Sequence, residues 1–283
     1  MRAFDFYSPA DLSEAFHVLA ELGAEAAPLA GGTDLLLRMK ANDQEPRAVV
    51  SLKRLSDLKE ISFDPHQGMR LGSRVTLREL IRSPLVREHY PILARAAATM
   101  ASEQIRSLAT VGGNLVNAAP SADLAPPLLV LGAEVRLASL SGERQLPLAQ
   151  FFVGPGLTVR QPSEILIQIR LPPPEGRAVY LKHSPRNCMD IATVGVAVRV
   201  ARGTGNGRGV RIALGAVAPV PMLARQAAEA VDADSLTSAE FVRAAHIAAE
   251  ECAPIDDPRA SAGYRRRVVA VLVRRSLEAV ATP

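Results

Sequence analysis

Ala30-Gly31-Gly32-Thr33-Asp34-Leu35-Leu36 is the stretch that decides how this chain is read. A short apolar piece, Pro28-Leu29-Ala30, runs into two glycines, and Leu35-Leu36-Leu37-Arg38-Met39-Lys40 follows. That order predicts a strand, a glycine turn and a helix. Glycines at such a turn leave consecutive backbone N–H groups free and let an anion approach closely. The start of the helix adds a dipole that favours phosphate. Thr33 and Asp34 are placed to cap the helix, and Asp34 is expected on the helix amides because its charge would otherwise repel a phosphate. A tight connection between strand and helix, with no ligand, accounts for the same residues. A second pair, Thr110-Val111-Gly112-Gly113-Asn114, lies about 80 residues later, in a segment (105–115) expected to be extended and broken by its glycines. Two such turns from different units can clasp a diphosphate between them. Neither is a P-loop, since no Lys-Ser or Lys-Thr follows the glycines, and neither contains Gly-x-Gly-x-x-Gly.

Upstream, Ser8-Pro9-Ala10-Asp11 reads as an N-cap, a proline at the first helical position and a capping-box acid. Leu12, Ala15, Phe16, Leu19 and Leu22 then repeat at helical spacing until Gly23 stops them. Residues 48–52 look like a strand of this first unit. A second unit has a strand at 69–71, helices at 76–81, 92–100 and 123–131, and β character at 134–138, 144–147 and 164–171. The last of these alternates as Ile165, Ile167, Ile169 and Leu171. Pro172-Pro173-Pro174-Glu175-Gly176 is the linker. Beyond it, strands at 178–182, 192–200 and 210–217 precede helices at about 222–231, 238–252 and 262–281. Strands followed by helices suggest an α+β domain with helices on one face of an antiparallel sheet. The expected domains are 1–173, divided into subdomains of about 1–55 and 56–173, and 177–283.

Composition narrows the function. With 283 residues the chain exceeds one ordinary core. Its longest apolar runs fall far short of the roughly 20 residues that span a bilayer, and residues 1–5 lack the apolar stretch of a secretory signal. Two cysteines, Cys188 and Cys252, build neither a disulfide framework nor an all-cysteine metal site. These features point to the cytoplasm. A net charge of +4 with only 4% aromatics, and no basic–aromatic interleaving, argues against nucleic acid. His17, His66, His89, His183 and His246 are scattered, so no metal site is assigned. Cys188 is read as an inert thiol. The glycine-rich run at 203–209 is read as a hairpin tip, and Arg265, Arg266, Arg267, Arg274 and Arg275 as a solvated helix stripe or a subunit contact.

The two glycine segments, with Pro120-Ser121-Ala122-Asp123-Leu124 after the second, resemble the FAD diphosphate segments in the medium subunit of molybdenum hydroxylases. That family includes the flavoprotein subunits of aerobic carbon monoxide dehydrogenase and 4-hydroxybenzoyl-CoA reductase, and the FAD domain of xanthine dehydrogenase. The resemblance continues in order through Pro162-Ser163-Glu164-Ile165-Leu166, Tyr180-Leu181-Lys182-His183-Ser184, Arg186-Asn187-Cys188-Met189-Asp190-Ile191-Ala192 and Ser261-Ala262-Gly263-Tyr264-Arg265-Arg266. It covers nearly the whole chain.

The resemblance implies a two-part FAD-binding domain of the vanillyl-alcohol-oxidase (PCMH) type, followed by the C-terminal α+β domain of these flavoproteins. It implies that Ala30, Gly31, Gly32, Thr33 and Asp34, with Thr110, Val111, Gly112, Gly113 and Asn114, hold the diphosphate and ribityl region. Met100, Asp123, Leu166 and Lys182 match further positions that line the flavin site. Asp123 suits an acceptor for a ribityl hydroxyl or a backbone amide; the N-cap of the following helix is its other reading. Lys182 either places positive charge near the flavin or is a solvated strand lysine. Met100 and Leu166 are core residues that touch the ring. No histidine lies in the glycine segments, so FAD is expected to be held non-covalently. The molybdenum cofactor and [2Fe-2S] clusters are expected in a large and a small partner subunit, and this chain is expected to relay electrons to an external acceptor with no catalytic acid or base of its own. The segment between Asp123 and Glu164 has no cysteine, so the extra cluster of the 4-hydroxybenzoyl-CoA reductase type is not expected. A free-standing flavin oxidase and a flavin-free scaffold are the competing readings.

Overall fold

The computed structural model describes residues 1–186, 189–202 and 209–282. The chain begins with β1 (Asp5–Tyr7), α1 (Leu12–Leu22), β2 (Ala26–Leu29), α2 (Leu35–Ala41) and β3 (Ala48–Ser51). The strands form a parallel sheet in the order β1-β3-β2. The exposed edge strand β1 has no sequence signal, since none of its three residues is buried. Asp11, not Ser8, is the N-cap of α1: its carboxylate accepts from the Glu14 amide at 2.8 Å, while Glu14 accepts from the Ala10 amide at 2.7 Å. Gly23 ends the helix at φ +52°, as its position suggests.

The second unit contains β4 (Ile61–Asp64), β5 (Gly68–Gly72), α3 (Leu77–Arg82), α4 (Pro84–His89), α5 (Pro91–Ala98), α6 (Glu103–Arg106), α7 (Val111–Val116), α8 (Ala125–Val130), β6 (Glu134–Ser139), β7 (Gly142–Pro147), β8 (Phe152–Gly154), β9 (Leu157–Thr158) and β10 (Ile165–Leu171). Its antiparallel sheet runs β4-β5-β10-β6-β7. The segment expected to be extended at 105–115 is instead mostly helical, with α6 and α7 joined by a short turn. Ser102 and Thr110 cap the two helices through their hydroxyls, and local capping outweighs the low helix propensity of two glycines.

Central strand β10 serves two cores. A bulge between Leu166 and Gln168 breaks its pairing with β6. An extra residue in a strand exchanges the faces reached by those that follow. Ile165 and Ile167 pack with Leu19, Val50 and the first unit, whereas Leu166, Ile169 and Leu171 pack with the helices of the second. The apolar alternation from Ile165 to Leu171 is therefore divided between two cores.

After the linker, β11 (Arg177–His183), β12 (Val194–Val200), β13 (Val210–Gly215) and β14 (Met222–Leu223) form an antiparallel sheet in that order, followed by α9 (Arg225–Glu229), α10 (Ser238–Glu251) and α11 (Ala262–Ala281). The expected helix at 222–231 shortens to α9 because Met222 and Leu223 pair with β13. One face of the sheet carries Val194, Val196, Val198, Ile212 and Leu214 against α10 and α11. The other carries Ala197 and Ala213 into the core that contains α8, so α9, α10 and α11 lie on one face, as expected, and the second unit covers the other. Among the described residues no helix is long and apolar enough to cross a membrane. The run at 203–208 lies outside the described residues.

Arg265 is a clamp, not part of a solvated stripe. It is 4% exposed, its Nη1 donates to the Thr193 and Ala216 carbonyls at 2.9 Å each, and its Nη2 lies 2.7 Å from Asp257 Oδ1. Arg266, Arg267, Arg274 and Arg275 are exposed. Arg265→Leu strips two carbonyls and a carboxylate of their partner, and is expected to cost about 3–5 kcal/mol. Urea unfolding of the variant beside Arg267→Leu, expected near wild type, checks this.

Candidate functional site

The first glycine segment leaves β2 and reaches the two-turn helix α2. Gly32 has φ +75°, a left-handed conformation that opens this turn. The backbone N–H groups of Gly31, Gly32, Thr33, Asp34 and Leu35 find no hydrogen-bond acceptor among the described residues. Asp34 does not cap α2: its backbone is already helical (φ −101°, ψ −50°), where a capping residue must be extended for its side chain to curl back. Its carboxyl faces a cavity instead. Partial burial pushes that carboxyl above the usual range, opposed by the charge of Arg38 and the Thr33 hydroxyl.

The second segment differs. Thr110 caps α7 through its hydroxyl, which accepts from the Gly113 amide at 3.1 Å. Val111 N–H donates to the Val75 carbonyl and Gly112 N–H to the Ser73 carbonyl, both at 2.9 Å. The amides from Val111 to Asn114 are thus satisfied within the protein, and the expectation of two equivalent amide clasps is corrected. What this segment presents is side chains, among them Asn114, whose Oδ1 is buried without a hydrogen-bond partner among the described residues. Ser73 Oγ beside it is equally unpaired, in a residue 4% exposed.

Close approach of main chain shapes the walls. A methyl group on Gly31 would lie 2.0 Å from the Leu108 carbonyl oxygen, and one on Gly112 would lie 2.6 Å from Ser73 Cβ. Arg38 Nη2 crosses from α2 to donate to Asn117 Oδ1 at 2.7 Å, next to the end of α7. The result is a cavity of about 990 Å³ with both glycine segments in its wall. Ala30, Gly31, Gly32, Thr33, Asp34, Met100, Thr110, Gly112, Gly113, Asn114, Asp123 and Leu166 all line it. Val111 and Lys182 do not. Val111 is 1% exposed, turned into the core by the helical start of α7.

Lys182 stands behind Asp123. Its Nζ donates to Asp123 Oδ2 at 2.9 Å, to the Asp190 carbonyl at 2.8 Å and to the Thr99 carbonyl at 3.3 Å. Tyr180, two residues earlier on the same face of β11, donates to Asp123 Oδ1 at 2.6 Å. Asp123 is therefore neither the N-cap of α8, a position taken by Leu124, nor free, and Lys182 is not a solvated lysine. Burial pushes the Asp123 carboxyl above its usual range, against the opposing Lys182 charge and the Tyr180 hydroxyl. Burial and the neighbouring carboxylate push the Tyr180 hydroxyl far up, so it stays a donor.

Ser73, Arg38, Asn117, Arg160 and Tyr180 join the site without having been expected there. Tyr180 had a signal, the i, i+2 spacing with Lys182 on a strand. The others depend on contacts between distant segments. Cys188 lies outside the described residues.

Lys182→Met leaves Asp123 as a buried charge without its partner, and is expected to cost about 3–5 kcal/mol at neutral pH. A carboxyl whose folded pKa is raised favours the fold at low pH and loses that contribution as pH rises through the raised value. The deficit of the variant should therefore shrink as pH falls through the acid range and Asp123 takes a proton. Chemical denaturation at stepped pH tests this; a deficit independent of pH would exclude the ion pair as its source.

Two family models match in sequence: the FAD binding domain in molybdopterin dehydrogenase over residues 2–174, and the CO dehydrogenase flavoprotein C-terminal domain over residues 179–280. The chain is 33% identical to the xanthine dehydrogenase FAD-binding subunit of Escherichia coli O157:H7, over 98% of this chain and 97% of that one. It is 31% identical to the carbon monoxide dehydrogenase medium chain of Afipia carboxidovorans, over 98% and 96%. Its structure resembles that of reconstituted CO dehydrogenase from Oligotropha carboxidovorans with a TM-score of 0.92 at 30% identity, covering 99% of this chain and 98% of that chain. With the two models matching nearly the whole chain and the cavity walled by both glycine segments, this chain belongs to the FAD-binding subunits of the molybdenum hydroxylase family.

Proposed function

We propose that this chain is the electron-transfer subunit of a molybdenum hydroxylase complex, receiving electrons from a [2Fe-2S] subunit and passing them to an external acceptor. The observation that carries the proposal is the single cavity walled by both glycine segments in a chain whose family binds FAD. The residues fit that group. A volume of about 990 Å³ matches the upper end of small-molecule sites, roughly 300–1,000 Å³. Unpartnered amides at 31–35 suit an anionic portion, and the unpaired Ser73 Oγ and Asn114 Oδ1 suit polar groups buried with it.

When bound, FAD supplies the exchange between one-electron and two-electron carriers. The chain's own residues bind and orient. In this reading Ala30 to Asp34 and Thr110, Gly112, Gly113 and Asn114 hold the diphosphate and ribityl region, Met100 and Leu166 pack on rings, and Asp123 accepts from a hydroxyl. Val111 and Lys182 act from behind, one by packing α7, the other by holding the Asp123 carboxylate. Residues 1–173 make up the FAD-binding domain and 177–283 the C-terminal domain, a division supported by the matched ranges 2–174 and 179–280.

The partners proposed are a large subunit with the molybdenum cofactor and a small subunit with [2Fe-2S] clusters. Relatives named a medium chain and an FAD-binding subunit support a place in such an assembly. Two cysteines in the whole sequence are too few for the thiolates of a [2Fe-2S] cluster.

The visible absorption spectrum of the purified chain, before and after addition of FAD, tests the proposal. Flavin bands are expected, with acid releasing FAD and not FMN, and with the bands bleaching when the reduced [2Fe-2S] partner is added. A chain that takes up no flavin even beside its partners would sink it.

A further inference from the structure

Four arginines line the cavity: Arg38, Arg160, Arg186 and Arg259. Two of them carry a salt bridge, Arg186 to Asp190 at 3.3 Å and Arg259 to Asp257 at 3.5 Å, the latter a carboxylate shared with Arg265. Lys182 is likewise matched by Asp123. Arg38 and Arg160 form no salt bridge among the described residues. Arg160 is held by one nitrogen only: its Nη1 donates to the carbonyls of Gln161, Pro162 and Glu164 at 2.8, 3.2 and 2.7 Å. Those contacts fix the guanidinium and leave its other edge to the cavity. Its nearby acid is already committed, since Glu164 receives a bidentate pair from Arg144 at 2.6 and 2.8 Å and the Gln161 amide at 2.7 Å. Arg38 is held the same way, by a neutral acceptor, Asn117 Oδ1 at 2.7 Å. Its Nη2 also lies 3.9 Å from a methyl built on Gly156, in the loop that continues to Arg160. Asp34 feels the Arg38 charge without pairing with it.

Neutral acceptors that fix a guanidinium keep its charge available, whereas carboxylates cancel it. A pair of fixed cations with no salt bridge of their own among the described residues, in a wall that also offers five unpartnered amides, suits a compact dianion. We propose that Arg38 and Arg160 are the cationic pair that neutralises the diphosphate of the bound dinucleotide, and so select FAD over flavins lacking it. The proposal rests on the FAD reading and adds two residues, outside both glycine segments, that determine specificity.

The test is flavin titration of the full chain, followed by flavin fluorescence, with FAD and with riboflavin at low and high salt. Wild type is expected to bind FAD the more tightly, and less so at high salt, because ions in solution screen the approach of the free dianion to the cationic cavity. Arg160→Leu and Arg38→Leu are each expected to weaken FAD by about tenfold to a hundredfold, the range of a charge-assisted hydrogen bond. They should also flatten the salt dependence and leave riboflavin unaffected. Arg160→Lys, which keeps the charge, should retain most of the affinity. Arg38→Leu removes a single hydrogen bond, to Asn117, and decides the matter if Arg160→Leu does not fold. Variants that bind FAD with wild-type affinity and salt dependence would overturn the proposal, as would equal loss of FAD and riboflavin, the sign of a merely loosened wall. Wild-type chain that binds no flavin would overturn the FAD reading itself, a result visible before any variant is made.

Discussion

Main-chain contact at two glycines is the constraint on which the cavity depends. At Gly31 the first unit rests on the Leu108 carbonyl, and at Gly112 the start of α7 rests on Ser73, with no room for a methyl group at either point. Protein interiors are packed too densely to absorb such an addition without moving backbone. The amide of Gly112 uses the closeness directly, donating to Ser73, and Thr76 and Thr110 pair as an isolated bridge alongside. Because no side chain intervenes, the two walls hold a fixed separation, and the polar groups carried on them are fixed in turn.

The two glycine segments share a sequence pattern but divide the work. In the first, a left-handed Gly32 and a non-capping Asp34 leave amides free. In the second, the Thr110 hydroxyl and two neighbouring carbonyls consume them, so the segment contributes Asn114 and a close-packed helix. Support from behind the wall comes from far along the chain. Tyr180 and Lys182 of β11 reach the Asp123 carboxylate, and small residues on that face of the sheet, Ala197 and Ala213, let it lie against the core around α8. A buried ion pair adds little net stability compared with apolar packing, but removing one partner is costly. Its effect is to fix Asp123 in one place.

Much of this was legible in the residues. Long elements with sustained periodicity, such as α10 and α11, and strands such as β12 and β13, announce themselves because one face must be apolar over several turns or pleats. The first glycine segment is legible as a wall because few other patterns place two small residues between a strand and a helix, whereas the second pair lies inside α7. Elements shorter than that were not: β1 buries nothing, and α6 and α7 depend on capping hydroxyls, not on periodicity. The bulge in β10 is invisible for a different reason, since apolar residues at 165, 167, 169 and 171 look the same whether they meet one core or two. The state of Asp123 and Lys182 likewise depends on a contact between residues 59 positions apart, which no local pattern encodes.

The tie between Asp123 and β11 also sets an order of events as the chain is made. Synthesis runs from the N-terminus, so both glycine segments and Asp123 leave the ribosome before Tyr180 and Lys182 do. Until β11 emerges, the carboxylate in the cavity wall has neither its cation nor its phenol. The cavity therefore reaches its finished polarity only after the C-terminal sheet has docked.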